Sequence, residues 1–171
     1  MKTSLFISLL WIMIGIGAAS CDKDKEGKLL DASLMCNLTC KNTSLSGNLV
    51  PDTISRVDYQ YNETTKTLKF THANSGFNCC PEEIDCKVSL YKDTLKIEEF
   101  EKEASCDCNC LYDLNIDIQK IEKKIYYVQF IEPYAKKLDP IRFQMNLNEV
   151  SSGFYEAVRK QYPWGASVIY E

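Results

Sequence analysis

The chain of 171 residues carries one histidine, no block of basic residues and no Cys-x-x-Cys dithiol. A single imidazole excludes a histidine-rich metal site and leaves His72 as the one candidate imidazole base. Lys+Arg 20 against Asp+Glu 24 gives a net charge of −4, so no basic stripe is present to follow a nucleic-acid backbone. No Gly-rich phosphate loop and no serine nucleophile elbow occurs. Beyond the first twenty residues no uncharged stretch is long enough to cross a bilayer. Helical apolar spacing is missing from the centre of the chain, as are internal repeats and low-complexity tracts. These absences exclude nucleic-acid binding, collagen, coiled coil and multi-pass membrane protein. With 45% hydrophobic and 26% charged residues, the composition is that of a folded chain. Its length suits one domain.

The beginning of the chain reads as an address. Lys2 is a positive n-region, residues 5–17 are apolar and uncharged, and Ala18, Ala19 and Ser20 are small. That is the order of a secretory signal peptide over residues 1–20. Ala18-Ala19-Ser20-Cys21 resembles a bacterial lipobox, with Ala18 standing where the usual motif carries Leu. The resemblance implies cleavage before Cys21 and acylation of that cysteine. Each buried methylene of an acyl chain contributes roughly 0.8 kcal/mol, so a multiply acylated Cys21 would hold the protein firmly at a membrane. Residues 21–28, with dense mixed charge, read as the lipidated start and a solvated tether. Acidic residues close behind the cysteine resemble the surface-export signals of some outer-membrane lipoproteins. Losing Lys2 leaves 19 basic against 24 acidic residues and a mature net charge of −5. Three Asn-x-Ser/Thr triplets, at Asn37, Asn42 and Asn62, support a rival reading as a eukaryotic secreted protein.

From about Ile54 the dominant period is two. Val57, Tyr59 and Tyr61, then Leu68 and Phe70, predict a hairpin across the polar turn of residues 62–66. Cys86, Val88 and Leu90 predict a second, with Leu95 and Ile97 after Lys92-Asp93-Thr94. Cys106, Cys108, Cys110, Tyr112, Leu114, Ile116 and Ile118 share one parity and predict one long strand with its cysteines core-facing. Tyr126, Val128 and Phe130 give another strand, stopped by Pro133, and Ile141, Phe143, Met145 and Leu147 the last. Residues 29–53 read ambiguously. A short helix is expected from Ser151 or Ser152, with Phe154, Ala157, Val158 and Gln161 on one face and Pro163 as its stop. The expected fold is an all-β, antiparallel immunoglobulin-like sandwich of about seven strands with that C-terminal helix, a single domain over residues 29–171.

With Cys21 set aside, eight of nine cysteines remain: Cys36, Cys40, Cys79, Cys80, Cys86, Cys106, Cys108 and Cys110. An even number in an exported chain fits complete pairing, although eight cysteines allow ~105 connectivities. The simplest pattern links the cluster of Cys79, Cys80 and Cys86 to the cluster of Cys106, Cys108 and Cys110, three cysteines in each, and either pairs Cys36 with Cys40 or ties those two to the body. Cys79 and Cys80 would point in opposite directions and serve different partners. The rival is a thiolate metal site, but the spacing is not the two-residue knuckle of structural zinc and exported thiols tend to be oxidised. Catalysis has little support. A Cys80–His72 nucleophile–base pair can be drawn, and Glu82, Glu83, Asp113 and Glu132 are carboxylates in what look like turns and a solvated strand face. No catalytic residue, metal or cofactor is therefore assigned. Among the C-terminal tyrosines, the turn bearing Tyr162 and Trp164 is the candidate patch for a protein or carbohydrate ligand.

Residues 72–81, His-Ala-Asn-Ser-Gly-Phe-Asn-Cys-Cys-Pro, followed by residues 106–114, Cys-Asp-Cys-Asn-Cys-Leu-Tyr-Asp-Leu, resemble small bacterial lipoproteins with a cysteine-rich β domain and no assigned activity. The resemblance implies a fold class and a place at the bacterial cell envelope, as an outer-membrane lipoprotein that is in some cases surface-exposed. It transfers no functional residue. The sequence thus predicts a lipid-anchored, disulfide-stabilised binding or structural module, with an exported thiolate metal protein and an envelope hydrolase as alternatives.

Overall fold

The computed structural model describes residues 27–41, 50–135, 138 and 140–159, with residue 104 described by its backbone alone. The described chain is all β, with ten strands: β1 Lys28–Leu29, β2 Ala32–Cys36, β3 Ile54–Asn62, β4 Thr67–Asn78, β5 Pro81–Tyr91, β6 Thr94–Ala104, β7 Asn109–Ile118, β8 Ile125–Ile131, β9 Arg142–Asn146 and β10 Ser152–Val158. They form two five-stranded sheets, ordered β1-β5-β6-β8-β9 and β10-β3-β4-β7-β2. Every pairing is antiparallel but one: β6 and β8 run parallel, which corrects the wholly antiparallel expectation. Parallel neighbours need a crossover, and here the chain makes it through β7 in the other sheet.

The two sheets pack face to face because alternation gives each an apolar inner side. Val57, Leu68, Phe70, Ile116 and Ile118 from one meet Val88, Leu95, Ile97, Tyr126, Val128 and Phe130 from the other, all buried. Phe70 and Phe130 meet edge to face across the interface, with ring centroids 5.4 Å apart. A smaller cluster of Phe77, Ile84, Cys110, Tyr112 and Leu114 fills one end.

The two hairpins form at the anticipated turns, with Lys66 and Lys92 in left-handed turn positions. Three further expectations are corrected, the first being the number of strands, ten among the described residues rather than about seven. Over Ser152–Val158 the chain is not a helix but strand β10, paired along its whole length with β3. Phe154, Ala157 and Val158 share a face only at the helical period; on the strand Ala157 faces the core while Phe154 and Val158 are exposed, and the open edge of β3 overrides the local pattern, since its unpaired N–H and C=O groups gain a ladder. Gln161 and Pro163 lie outside the described residues. The long strand begins at Asn109, so Cys106 and Cys108 sit in the connection before it, half-buried and exposed, while Cys110 is buried. Leu111, on the other parity of that strand, is also buried, and its carbonyl accepts from the N–H of Lys41.

Phe130 is 1% exposed and touches both Phe70 and His72. Phe130→Ala should therefore cost ~3–5 kcal/mol in denaturant unfolding. Tyr127→Ala, three positions away on the exposed face, should change stability by less than ~0.5 kcal/mol.

Candidate functional site

The densest chemistry in the molecule lies between the sheets. A β-bulge shifts the register of β4 against β7 between His72 and Ser75, with Asn74 at φ 62°. Asparagine tolerates this left-handed conformation better than most residues. Here its N–H donates to Asp113 and its Nδ2 donates to the carbonyls of Pro51 and Ile54. Residues three apart on a regular strand face opposite sides; the bulge turns both His72 and Ser75 inward. Both meet Glu99 of β6: His72 Nδ1 lies 2.6 Å from Oε1, and Ser75 Oγ donates to Oε2 at 2.8 Å. His72 Nε2 lies 2.7 Å from Ser55 Oγ of β3. Glu132, just past β8, puts Oε1 3.8 Å from His72 Nε2, and its other oxygen accepts from Nη2 of Arg159. All six residues of this network are buried.

Ser55, His72 and Glu99 thus have the connectivity of a hydroxyl–imidazole–carboxylate triad. Their surroundings are those of a core. All three side chains are shut away from solvent, with Phe130 edge-on against the imidazole at 5.3 Å. A hydroxyl with no exposed surface cannot reach a substrate carbonyl in this state. His72 therefore does not line a cleft, the condition on which an envelope hydrolase using it rests, and Cys80 is bonded to Cys106 and holds no nucleophilic thiolate. What the arrangement does chemically is keep two carboxylates dry by pairing them with an arginine and an imidazole.

Burial alone would pull the His72 pKa down, but the charge and hydrogen bond of Glu99, with the charge of Glu132, outweigh it and raise the pKa above its ordinary value. Burial raises that of Glu132, against the pull of His72 and Arg159. The remaining carboxylates are where turns and outer faces put them: Glu82 and Glu83 are exposed, and Asp113 pairs with Lys41 on the outer side of the bulge. Glu132 corrects the expectation of a solvated position, being 5% exposed.

Cysteine chemistry occupies one end. Cys79 bonds Cys108, Cys80 bonds Cys106 and Cys40 bonds Cys110, each pair with Cα atoms 5.5 Å apart. The pairing follows from register. Phe77 opposes Cys110 and Asn78 opposes Asn109 in the β4–β7 ladder, so Cys79 and Cys108 come next. Asn78 sets the geometry: its Oδ1 accepts from the N–H of Cys80 and of Cys106, and its Nδ2 donates to the carbonyl of Cys106. The loops closed are separated by 29, 26 and 70 residues, worth roughly 3–4 kcal/mol each in the chain-entropy account.

Complete pairing of the eight cysteines is corrected: Cys36 and Cys86 have no disulfide partner. They stand on different sheets, opposite Leu114 and Glu99 in the ladders, and pack against different parts of the core. Burial, with help from Asp113 and Glu99, pushes the Cys36 thiol up to about 11. Burial, with Asp85 and Glu99, pushes Cys86 up to about 12. Such thiols are poor nucleophiles and poor metal ligands at neutral pH. Among the described residues no group of three His, Cys, Asp or Glu side chains is disposed to hold a metal ion.

A polar recess of about 590 Å³ lies at the other end, lined by Gln60, Asn62, Thr67, Lys69, Asp117 and Gln119 among others. Lys69 pairs with Asp117 at 3.4 Å and Thr67 donates to Gln119 at 3.1 Å. Tyr162 and Trp164, the candidate ligand patch, lie outside the described residues, as does Cys21.

Sequence reasoning missed Ser55, Ser75, Glu99 and Arg159. For Ser55 and Glu99 a signal existed, since each shares the parity of apolar residues on its strand, Val57 for one and Leu95 and Ile97 for the other. For Ser75 there was none, because nothing in the sequence announces the bulge.

The fold and its chemistry define an all-β protein braced by disulfides, of the kind made for an oxidising compartment. The chain matches no family model, no curated protein and no solved structure.

A histidine whose folded pKa exceeds its unfolded value holds its proton longer in the native state. Its contribution to stability is full below about pH 6.5 and is lost as pH rises through the folded value. The unfolding free energy should therefore fall with rising pH from about pH 6.5, by up to ~1.4 kcal/mol per unit for this one proton. Glu99→Gln, which removes the charge that holds the proton, should flatten that part of the slope in denaturant titrations run from about pH 6 to about pH 9.

Proposed function

We propose that this chain is a non-enzymatic binding or structural module of the bacterial cell envelope, anchored through an acylated Cys21 and carried by an immunoglobulin-like sandwich. The observation that supports it best is the disulfide set at one end. It fits export into an oxidising compartment, and it consumes six thiols that catalysis or metal binding would need. The sealing of the Ser55–His72–Glu99 network supports the non-enzymatic part. The small-residue run before Cys21 supports the anchor, with outer-membrane placement and surface display following from the acidic residues behind it. Its partners are the membrane and a protein or carbohydrate ligand, met at the patch bearing Tyr162 and Trp164. Nucleic acid is not among them.

Native protein from a bacterial host tests this by intact mass without reduction. The expected species begins at Cys21, carries acyl chains, lacks six hydrogens for three disulfides and takes two alkyl groups after unfolding, at Cys36 and Cys86. Cys21→Ala should abolish the acyl mass and membrane retention. A leader cleaved elsewhere with Cys21 unmodified, or glycans at Asn37 or Asn62 in a eukaryotic host with Cys21 free, would overturn the anchor.

A further inference from the structure

We infer that the end of the sandwich from which the N-terminal tether leaves is a lipid-facing surface, apposed to anionic headgroups, with the disulfide-braced end displayed away from the membrane. This rests on the lipid-anchor reading and gives it an orientation. Strand β1 fixes where the tether leaves: Lys28 opposes Leu90, and Gly27 lies so close to the Leu90 carbonyl that an added Cβ would sit 3.1 Å from it. Five residues, 22–26, separate Cys21 from Gly27. Fully extended, that stretch spans at most about 22 Å. An acylated Cys21 therefore holds this end within about 22 Å of the acyl chains.

The same end gathers five segments: the start of β1, the turns of residues 62–66 and 91–94, the β7–β8 connection of residues 119–124 and the β9–β10 connection of residues 147–151. Their side chains have the composition of a membrane interface. Lysines stand at Lys28, Lys66, Lys92, Lys120, Lys123 and Lys124, three of them (Lys66, Lys92 and Lys120) at left-handed tips that project from the body. Acidic residues there are Asp31, Glu63, Asp93, Glu122 and Glu149. Three of these are held by lysines: Glu63 by Lys123, Asp93 by Lys124 and Glu122 by Lys66. Six lysines against five carboxylates leave the folded part of this end at +1, and the tether of residues 22–26, with two lysines against three carboxylates, brings the end to zero in a mature chain of net −5. The remainder is correspondingly acidic, so an anionic surface favours this end and repels the rest.

Exposed apolar groups lie at the same margin. Leu29 is 59% exposed, Tyr91 44%, Ile125 38% and Tyr127 56%. Tyr91 and Tyr127 flank Thr94 in one row across β5, β6 and β8, and Lys92 sits over the Tyr91 ring at 5.4 Å. Tyrosines with an apolar body and a wet hydroxyl, beside lysines with apolar stems, suit the headgroup boundary.

The test uses the native acylated protein on two vesicle types, phosphatidylethanolamine with phosphatidylglycerol and phosphatidylcholine alone, treated with an amine-reactive reagent and read by peptide mass spectrometry. The expected result is several-fold lower modification of Lys28, Lys92 and Lys120 on the anionic vesicles than on the neutral ones, with Lys87 and Lys102 equal on both. In Lys92→Glu with Lys120→Glu, acylation and co-flotation with vesicles should persist while the protection of Lys28 is lost. Acylated, co-floating protein with the same modification ratio at both ends would overturn the orientation and leave the anchor standing. Protein without acyl mass that fails to co-float would overturn the anchor, and the orientation with it.

Discussion

The carboxylate of Glu99 lies between two sheets with no exposed surface, and much of the local architecture follows from satisfying it. A buried charge left alone is costly; paired and fully hydrogen-bonded, it can be kept. One strand supplies both partners, His72 and Ser75, and only a bulge lets it do so. The bulge in turn needs Asn74 in a left-handed conformation, tied on its outer side to Asp113 and Lys41. Inner charge and outer ion pair are thus two sides of one backbone irregularity. Glu132 and Arg159 extend the network, which already joins β3, β4 and β6, to the segments that follow β8 and β10, so these five elements are held against one another by polar contacts as well as by apolar packing.

The two ends of the molecule are stabilised by different means. At one, the small core around Phe77, Ile84 and Tyr112 is capped by three disulfides, organised by Asn78. At the other, hairpin turns and the start of β1 meet under surface ion pairs, which contribute little each and weaken with salt. Covalent links thus hold the first end, and ion pairs between turns the second.

Much of this was legible in the sequence. Strict alternation placed β3 with β4 and β5 with β6, because one buried face fixes register. Three cysteines at Cys79, Cys80 and Cys86 facing three at Cys106, Cys108 and Cys110 pointed to links between the clusters, of which two form. Local periodicity could not show tertiary decisions. Phe154, Ala157 and Val158 have helical spacing, and the neighbour β3 overrode it. The parallel pairing of β6 with β8 depends on a crossover, which leaves no local mark. Cys36 and Cys86 satisfied the parity of the count, yet face ladders without sulfur. Glu99 advertised itself by standing on the apolar parity of its strand, whereas Ser75 became a partner only through the bulge.

Because His72 is the single histidine, its imidazole signals need no assignment. A pH titration followed by nitrogen-edited NMR would read the buried network directly. The account predicts a ring that keeps both N–H protons above the ordinary histidine range, with the Nδ1 proton exchanging slowly because it is donated to a carboxylate away from water. A ring that titrates near pH 6.5 with both protons in rapid exchange would contradict a sealed, charged core.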